Sequence, residues 1–201
     1  MRLTPEQSDA IAEIINIGIG RAAGSLSEIV QCHVALSVPS IKIEKLSEFI
    51  ATNKHFGLER YSSVRLDFTG FTSGTAALVF PADSALNLVS VLTGDEMDTL
   101  ELDSVRAGTL TEVGNVLLNS VVGTLGNILK SSLGFGLPSY TEDIIEVLMG
   151  VDESTPDPEV LVIKTSLGLK DLRVVGDILM LFKVGSLESL LQDIRGLDMD
   201  E

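Results

Sequence analysis

Glutamate and asparagine three residues apart on a helix make a small polar tool, and this chain carries it twice, as Glu13 with Asn16 and as Glu112 with Asn115. Positions three apart are neighbours on a helix surface. The amide offers a donor and an acceptor with which to hold a water molecule, and the carboxylate can grip a cation. Such a pair forms no covalent intermediate. It suits hydrolysis of a phosphate ester or acyl phosphate whose metal and charge stabilisation come from elsewhere. A chain this acidic, without a lysine or arginine cradle, binds free phosphate poorly. The pair could work well on a protein substrate that brings its own Mg²⁺ and lysine.

The surroundings of the two pairs correspond. At one constant offset Gly24 meets Gly123, Leu26 meets Leu125, Ile29 meets Ile128, Pro39 meets Pro138 and Ser40 meets Ser139. An ungapped register over roughly thirty residues indicates a duplicated unit. A single glutamate or asparagine on an outer helix face needs no special reason. Asparagine is a mediocre helix former, so its return at the same register does ask for one. Common descent of the halves without retained function is the competing account.

These pairs need two long helices to carry them. Thr4-Pro5-Glu6-Gln7 is a helix start, with Thr4 as N-cap, Pro5 in the first turn and Gln7 three residues after the cap. The helix runs to about Gln31. At ~100° per residue, Ile11, Ile14, Ile15, Gly18, Ala22, Leu26 and Ile29 form one stripe, with Asp9, Glu13, Asn16, Gly20 and Ser27 opposite. Gly18 and Gly20 each cost about 1 kcal/mol relative to alanine. Close approaches are therefore expected, on the core side at Gly18 and the outer side at Gly20. The second helix, Ser104 to Lys130, has Leu110, Val113, Leu117, Val121, Leu125 and Ile128 as its core stripe. Glu112, Asn115 and Asn119 lie on its outer face.

Between the helices the pattern is extended. Val34 to Ile43 reads as an edge strand or a bend because Pro39 lies within it. Ser63 to Thr69 and Thr75 to Phe80 form a hairpin, followed by a short helix from Ala85 to Leu92. An acidic linker, Gly94 to Leu102, leads to the second half. There Gly134 to Ser139 is the counterpart of the Pro39 bend. Val160 to Leu167 and Val174 to Lys183 form a second hairpin, and Leu187 to Ile194 a closing helix. Glu44 to Tyr61 and Thr141 to Glu159 have no clear pattern. The expected fold is α+β: two αβββα units with pseudo-two-fold symmetry, a shared antiparallel sheet, and the long helices packed together on the outside. They form one domain over residues 1–201, built from repeats of about 1–98 and 99–201.

Composition narrows the partners. With 29 acidic and 14 basic residues and a formal charge of −15, neither a nucleic acid nor an anionic membrane is an expected surface. Cys32 is the single cysteine, which excludes a disulfide framework and a Cys/His zinc pattern. His33 and His55 have no counterpart in the other half, and the glycines of Asn16 to Gly20 lie inside a helix, which disfavours a dinucleotide loop. No P-loop, G-x-S-x-G or H-E-x-x-H pattern occurs. Met1 to Gln7 lacks the apolar core of a signal peptide. Leu110 to Leu129 is apolar, but Glu112, Asn115, Asn119 and Asn127 make it poor material for a membrane span. The expectation is a cytoplasmic protein without a metal or cofactor of its own.

At its polar pairs the chain resembles the CheC/CheX/FliY family of response-regulator phosphatases. That family's motif is Asp or Ser, three residues, Glu, two residues, Asn, then twenty-two residues and Pro. Asp9, Glu13, Asn16 and Pro39 match it in full. Glu112, Asn115 and Pro138 match in the second copy, where Gly108 stands at the Asp/Ser position. The resemblance implies dephosphorylation of phosphorylated CheY in chemotaxis signalling, with the regulator supplying Mg²⁺. Each long helix would dock on the regulator, its asparagine (Asn16 or Asn115) orienting the attacking water and its glutamate (Glu13 or Glu112) pairing with the regulator's lysine. Family members of the CheC type also bind the receptor deamidase CheD, and flagellar switch relatives use the fold for assembly, so a non-catalytic adaptor is the alternative. A third reading makes Gly18 and Gly20 a dimer face.

Overall fold

The first helix opens with a complete capping box. Thr4 Oγ1 accepts from the Gln7 backbone N–H at 3.2 Å, and Gln7 Oε1 accepts from the Thr4 N–H at 3.0 Å. Two donors that a helix start leaves orphaned are satisfied this way, and Pro5 then begins α1 (Pro5–Val30). A computed structural model of the chain describes residues 4–31, 33–52, 60–93, 102–149, 157–169, 172–183 and 186–197. Cys32, His55 and the linker from Gly94 to Glu101 lie outside these residues.

After α1 come β1 (Val34–Lys45), α2 (Leu46–Thr52), β2 (Tyr61–Gly70), β3 (Gly74–Phe80) and α3 (Ala82–Thr93). The second half supplies α4 (Leu102–Ile128), β4 (Leu133–Phe135), β5 (Ser139–Asp143), α5 (Ile145–Leu148), β6 (Glu159–Leu169), β7 (Leu172–Phe182) and α6 (Ser186–Leu197). The first half thus runs α-β-α-β-β-α and the second α-β-β-α-β-β-α, with a short helix in each half that the expected αβββα unit lacks. These helices hide in the sequence because four to seven residues are too few for a 3.6-residue period to stand out. Leu46, Phe49, Ile145 and Leu148 nonetheless bury their side chains.

The seven strands form one antiparallel sheet in the order β1-β6-β7-β3-β2-β4, with β5 also on β2. Its centre is the β3–β7 pair, where Leu78 faces Ile178. Each half's first extended segment leaves its own hairpin: β1 pairs with β6, while β4 and β5 pair with β2. β1 lies at the sheet edge and shifts register between Ser37 and Ser40, which brackets Pro39, a residue without a ladder N–H. In the second half the same segment is interrupted outright between Phe135 and Ser139.

Both sheet faces are covered. On one, Ile11, Ile15 and Leu26 of α1 and Leu118, Val121 and Leu125 of α4 join Val64, Leu66, Phe68, Leu78 and Ile163 in the main core. On the other, Phe49 and Ile145 of the short helices pack with Tyr61, Ala77, Val79, Val162 and Leu179. The long helices therefore share one outer layer, as expected, and α2 and α5 add a smaller one opposite. Ile29 departs from the expected stripe: it is 52% exposed, the core ending a turn earlier at Leu26, and Ile19 is buried instead.

Both long helices run into a non-glycine residue in the left-handed region, Gln31 and Lys130, each at φ 51°. These are equivalent positions of the two halves. That conformation costs a residue with a Cβ about 1 kcal/mol. Lys130→Gly is expected to raise stability by about 0.5–1 kcal/mol in urea denaturation, since glycine's extra freedom in the unfolded chain cancels only part of the relief.

One buried acid has a sign that can be tested. Asp177 is 7% exposed on β7, and Lys164 Nζ stands 3.7 Å from its Oδ2. Burial lifts its carboxyl above the usual carboxylate range, against the opposing pull of Lys164 and Lys42. A raised folded pKa favours the protonated fold, so its contribution is present below the ordinary pKa and lost as pH rises through the folded value. Asp177→Asn is expected to raise the urea midpoint at pH 7, and the difference from the parent protein to close as the pH falls below the ordinary carboxylate range.

Candidate functional site

What fixes the two polar pairs in space is the packing of α1 on α4. A Cβ at Gly18 would lie 2.9 Å from Val121 Cα and 3.0 Å from the Ser120 carbonyl oxygen, so the glycine lets the two backbones meet. Arg21 Nη1 donates to Thr124 Oγ1 across the same seam at 3.2 Å. At Gly114 a Cβ would lie 2.4 Å from Val64 Cβ, which seats α4 on β2. Arg106 donates to Glu142, which also accepts from the Tyr140 hydroxyl, tying the start of α4 to β5. Gln7 Nε2 reaches the Leu191 carbonyl of α6 at 3.5 Å. With Ile11, Ile14, Ile15 and Ala22 inward on α1, the rotation of that helix is set, and likewise for α4 with Leu110, Val113, Leu117 and Val121.

The outward faces are then determined. Asp9, Glu13, Asn16 and Gly20 are all exposed on α1. On α4, Glu112 is exposed, while Asn115 and Asn119 are half-buried. Among the described residues the side chains of Glu13 and Glu112 make no ion pair or hydrogen bond, so both carboxylates are unspent. The Asn16 amide is equally unengaged. Asn115 differs: its Oδ1 accepts from Asn119 Nδ2 at 2.5 Å. At the corresponding place on α1, Gly20 has nothing within 4 Å of where a Cβ would stand, and Gly108 is equally open. The outer approach expected at Gly20 is absent within this chain, whereas the one at Gly18 is real and is made by α4.

Chemically, each face presents a free carboxylate one turn from an amide, on a helix whose orientation is set by its packing. The Asn115–Asn119 bond was readable as a spacing of four but not as a contact. More than two turns further along α4, Phe135 Cζ would stand 3.9 Å from a Cβ at Gly123, and Leu137 is 91% exposed next to Pro138. His33 is exposed and is not part of either face. Among the described residues no group of three or more His, Cys, Asp or Glu is placed to hold a metal ion. No helix among them is long and apolar enough to cross a membrane.

Comparison with known proteins starts at the first face. A model of the CheC-like family matches residues 6–43, a stretch that contains Asp9, Glu13, Asn16 and Pro39. The CheY-P phosphatase CheC of Bacillus subtilis (strain 168) is 25% identical over 144 residues, which is 69% of this chain and 68% of that protein. Both likenesses are to CheC-like proteins. The flagellar motor switch phosphatase FliY of the same organism is 24% identical over 173 residues, 84% of this chain but 43% of FliY, so this chain spans under half of that relative. Among solved structures, Thermotoga maritima FliY superposes with a TM-score of 0.76 at 21% identity, covering 98% of this chain and 99% of the other. CheX from Borrelia burgdorferi, solved with CheY, BeF₃ and Mg²⁺, has a TM-score of 0.55 at 18% identity, covering 86% and 99%. At such identities these two structures speak for the fold alone: it is the fold of FliY and CheX.

Proposed function

We propose that this chain hydrolyses the aspartyl phosphate of a phosphorylated CheY-type response regulator, using Glu13 and Asn16 on α1 and Glu112 and Asn115 on α4. The observation that carries the reading is the pairing of an exposed, unspent carboxylate with an amide one turn away, at the same register of both long helices. A relative named for CheY-P hydrolysis and a CheX of the same fold solved with CheY support it.

The division of labour follows from the chemistry of the side chains. The glutamate docks by pairing with a lysine of the regulator, and the asparagine enters the phosphorylated site. There its carbonyl oxygen and N–H groups hold one water in line with phosphorus. Attack of that water forms a P–O bond and breaks the bond to the acyl oxygen, releasing inorganic phosphate and the regulator's free carboxylate. The cation that neutralises phosphate charge, Mg²⁺, belongs to the regulator. Such a partner is a cytoplasmic protein, and that is the setting proposed here.

Adding the purified chain to phosphorylated CheY in Mg²⁺ buffer is the test, with loss of the phosphoryl group followed over time. The reading expects decay to accelerate with catalytic amounts of protein. Saturable binding with an unchanged decay rate would instead favour the adaptor, which holds phosphorylated CheY or CheD without chemistry.

A further inference from the structure

The two faces share their working pair but not the residue one turn further on, which is Gly20 on α1 and Asn119 on α4. We infer that Asn119 is a positioning residue for Asn115, so that the two faces differ in how far their asparagine is preorganised; the inference rests on the phosphatase reading. Asn119 Nδ2 donates to Asn115 Oδ1 at 2.5 Å, and both side chains are half-buried on α4. On α1 the Asn16 amide is exposed, has no hydrogen-bond partner among the described residues, and has empty space beside it at Gly20.

The hydrogen bond removes rotational freedom from the Asn115 amide before any substrate arrives. It occupies one of the two lone pairs on Oδ1 and leaves the other, with both N–H donors, for water and phosphoryl oxygens. Asn16 must be ordered at the moment of reaction instead. A water-orienting group gains most from being held beforehand, because misplacement by about 1 Å can cost as much as ~100-fold in rate. Asn119 does this without touching the reacting atoms. The bond belongs to the chemical step, so its loss shows in kcat and not in KM.

Single-face proteins separate the contributions. In the Asn16→Ala background only α4 works, and adding Asn119→Ala is expected to lower kcat by roughly tenfold with KM for phosphorylated CheY unchanged. The reciprocal change, Gly20→Asn in the Asn115→Ala background, is expected to raise kcat of the α1 face several-fold. An unchanged kcat on Asn119→Ala, or a loss confined to KM, would overturn the inference, as would an Asn16→Ala protein with no activity. The first two outcomes leave the phosphatase reading untouched and the third removes only its α4 face; the reading itself fails separately if Asn16→Ala with Asn115→Ala keeps the full rate. Urea midpoints equal to the parent's within error tie a kcat loss to positioning; a lowered midpoint that tracks the kcat loss would assign Asn119 to the fold and overturn the inference.

Discussion

Glu13→Lys combined with Glu112→Lys is expected to lower kcat/KM for phosphorylated CheY by at least ~100-fold, mainly through KM. Both carboxylates are exposed and lack any partner among the described residues, so their charge is available to a docking protein. Reversal replaces attraction for the regulator's lysine by like-charge contact, worth several kcal/mol at a close interface. The fold is expected to survive, because exposed helix positions of this kind change stability by about 0.5 kcal/mol or less. Glu48→Lys is the control: it lies exposed on α2, beyond the opposite sheet face, and is expected to leave kcat/KM within about twofold. A double reversal that behaves like this control would remove the glutamates from docking.

The second large effect concerns the scaffold. Gly18→Val is expected to cost about 3 kcal/mol, read as a lowered urea midpoint. The atoms a Cβ would meet belong to the α4 backbone at 2.9 and 3.0 Å, which no change of side-chain rotamer can move aside. The long helices would have to separate, and a domain's whole stability is only about 5–15 kcal/mol. Gly20 gives the opposite outcome from two residues away. With open space beside it, Gly20→Ala is expected to stabilise by up to about 1 kcal/mol. Equal effects at the two glycines would mean that the α1–α4 seam does not lie at Gly18.

Much of this arrangement was legible before the structure, for reasons that are local. The Thr4–Gln7 capping box and the apolar stripes of α1 and α4 depend on residues within one or two turns, so periodicity reads them well. Ile29 shows the limit: angle alone assigns it inward, but burial also requires something to cover it, and cover is a tertiary matter. The strand exchange, β1 onto β6 and β5 onto β2, joins residues far apart in the chain, and no local signal distinguishes it from pairing within each half. α2 and α5 were lost to their shortness. For the candidate faces, repetition singled out Glu13, Asn16, Glu112 and Asn115, and the exchange of Gly20 for Asn119 between them is legible in the sequence, while the hydrogen bond from Asn119 to Asn115 needed the third dimension.

On the proposed mechanism Asn16 and Asn115 orient the water and do not merely help the proteins to dock. The measurement that tests it most directly is the decay rate of phosphorylated CheY at saturating concentrations of the parent protein and of the Asn16→Ala, Asn115→Ala double variant. Strong acceleration is expected from the parent and, for the variant, saturable binding with decay no faster than that of phosphorylated CheY alone. A double variant that accelerates decay as fast as the parent would contradict it.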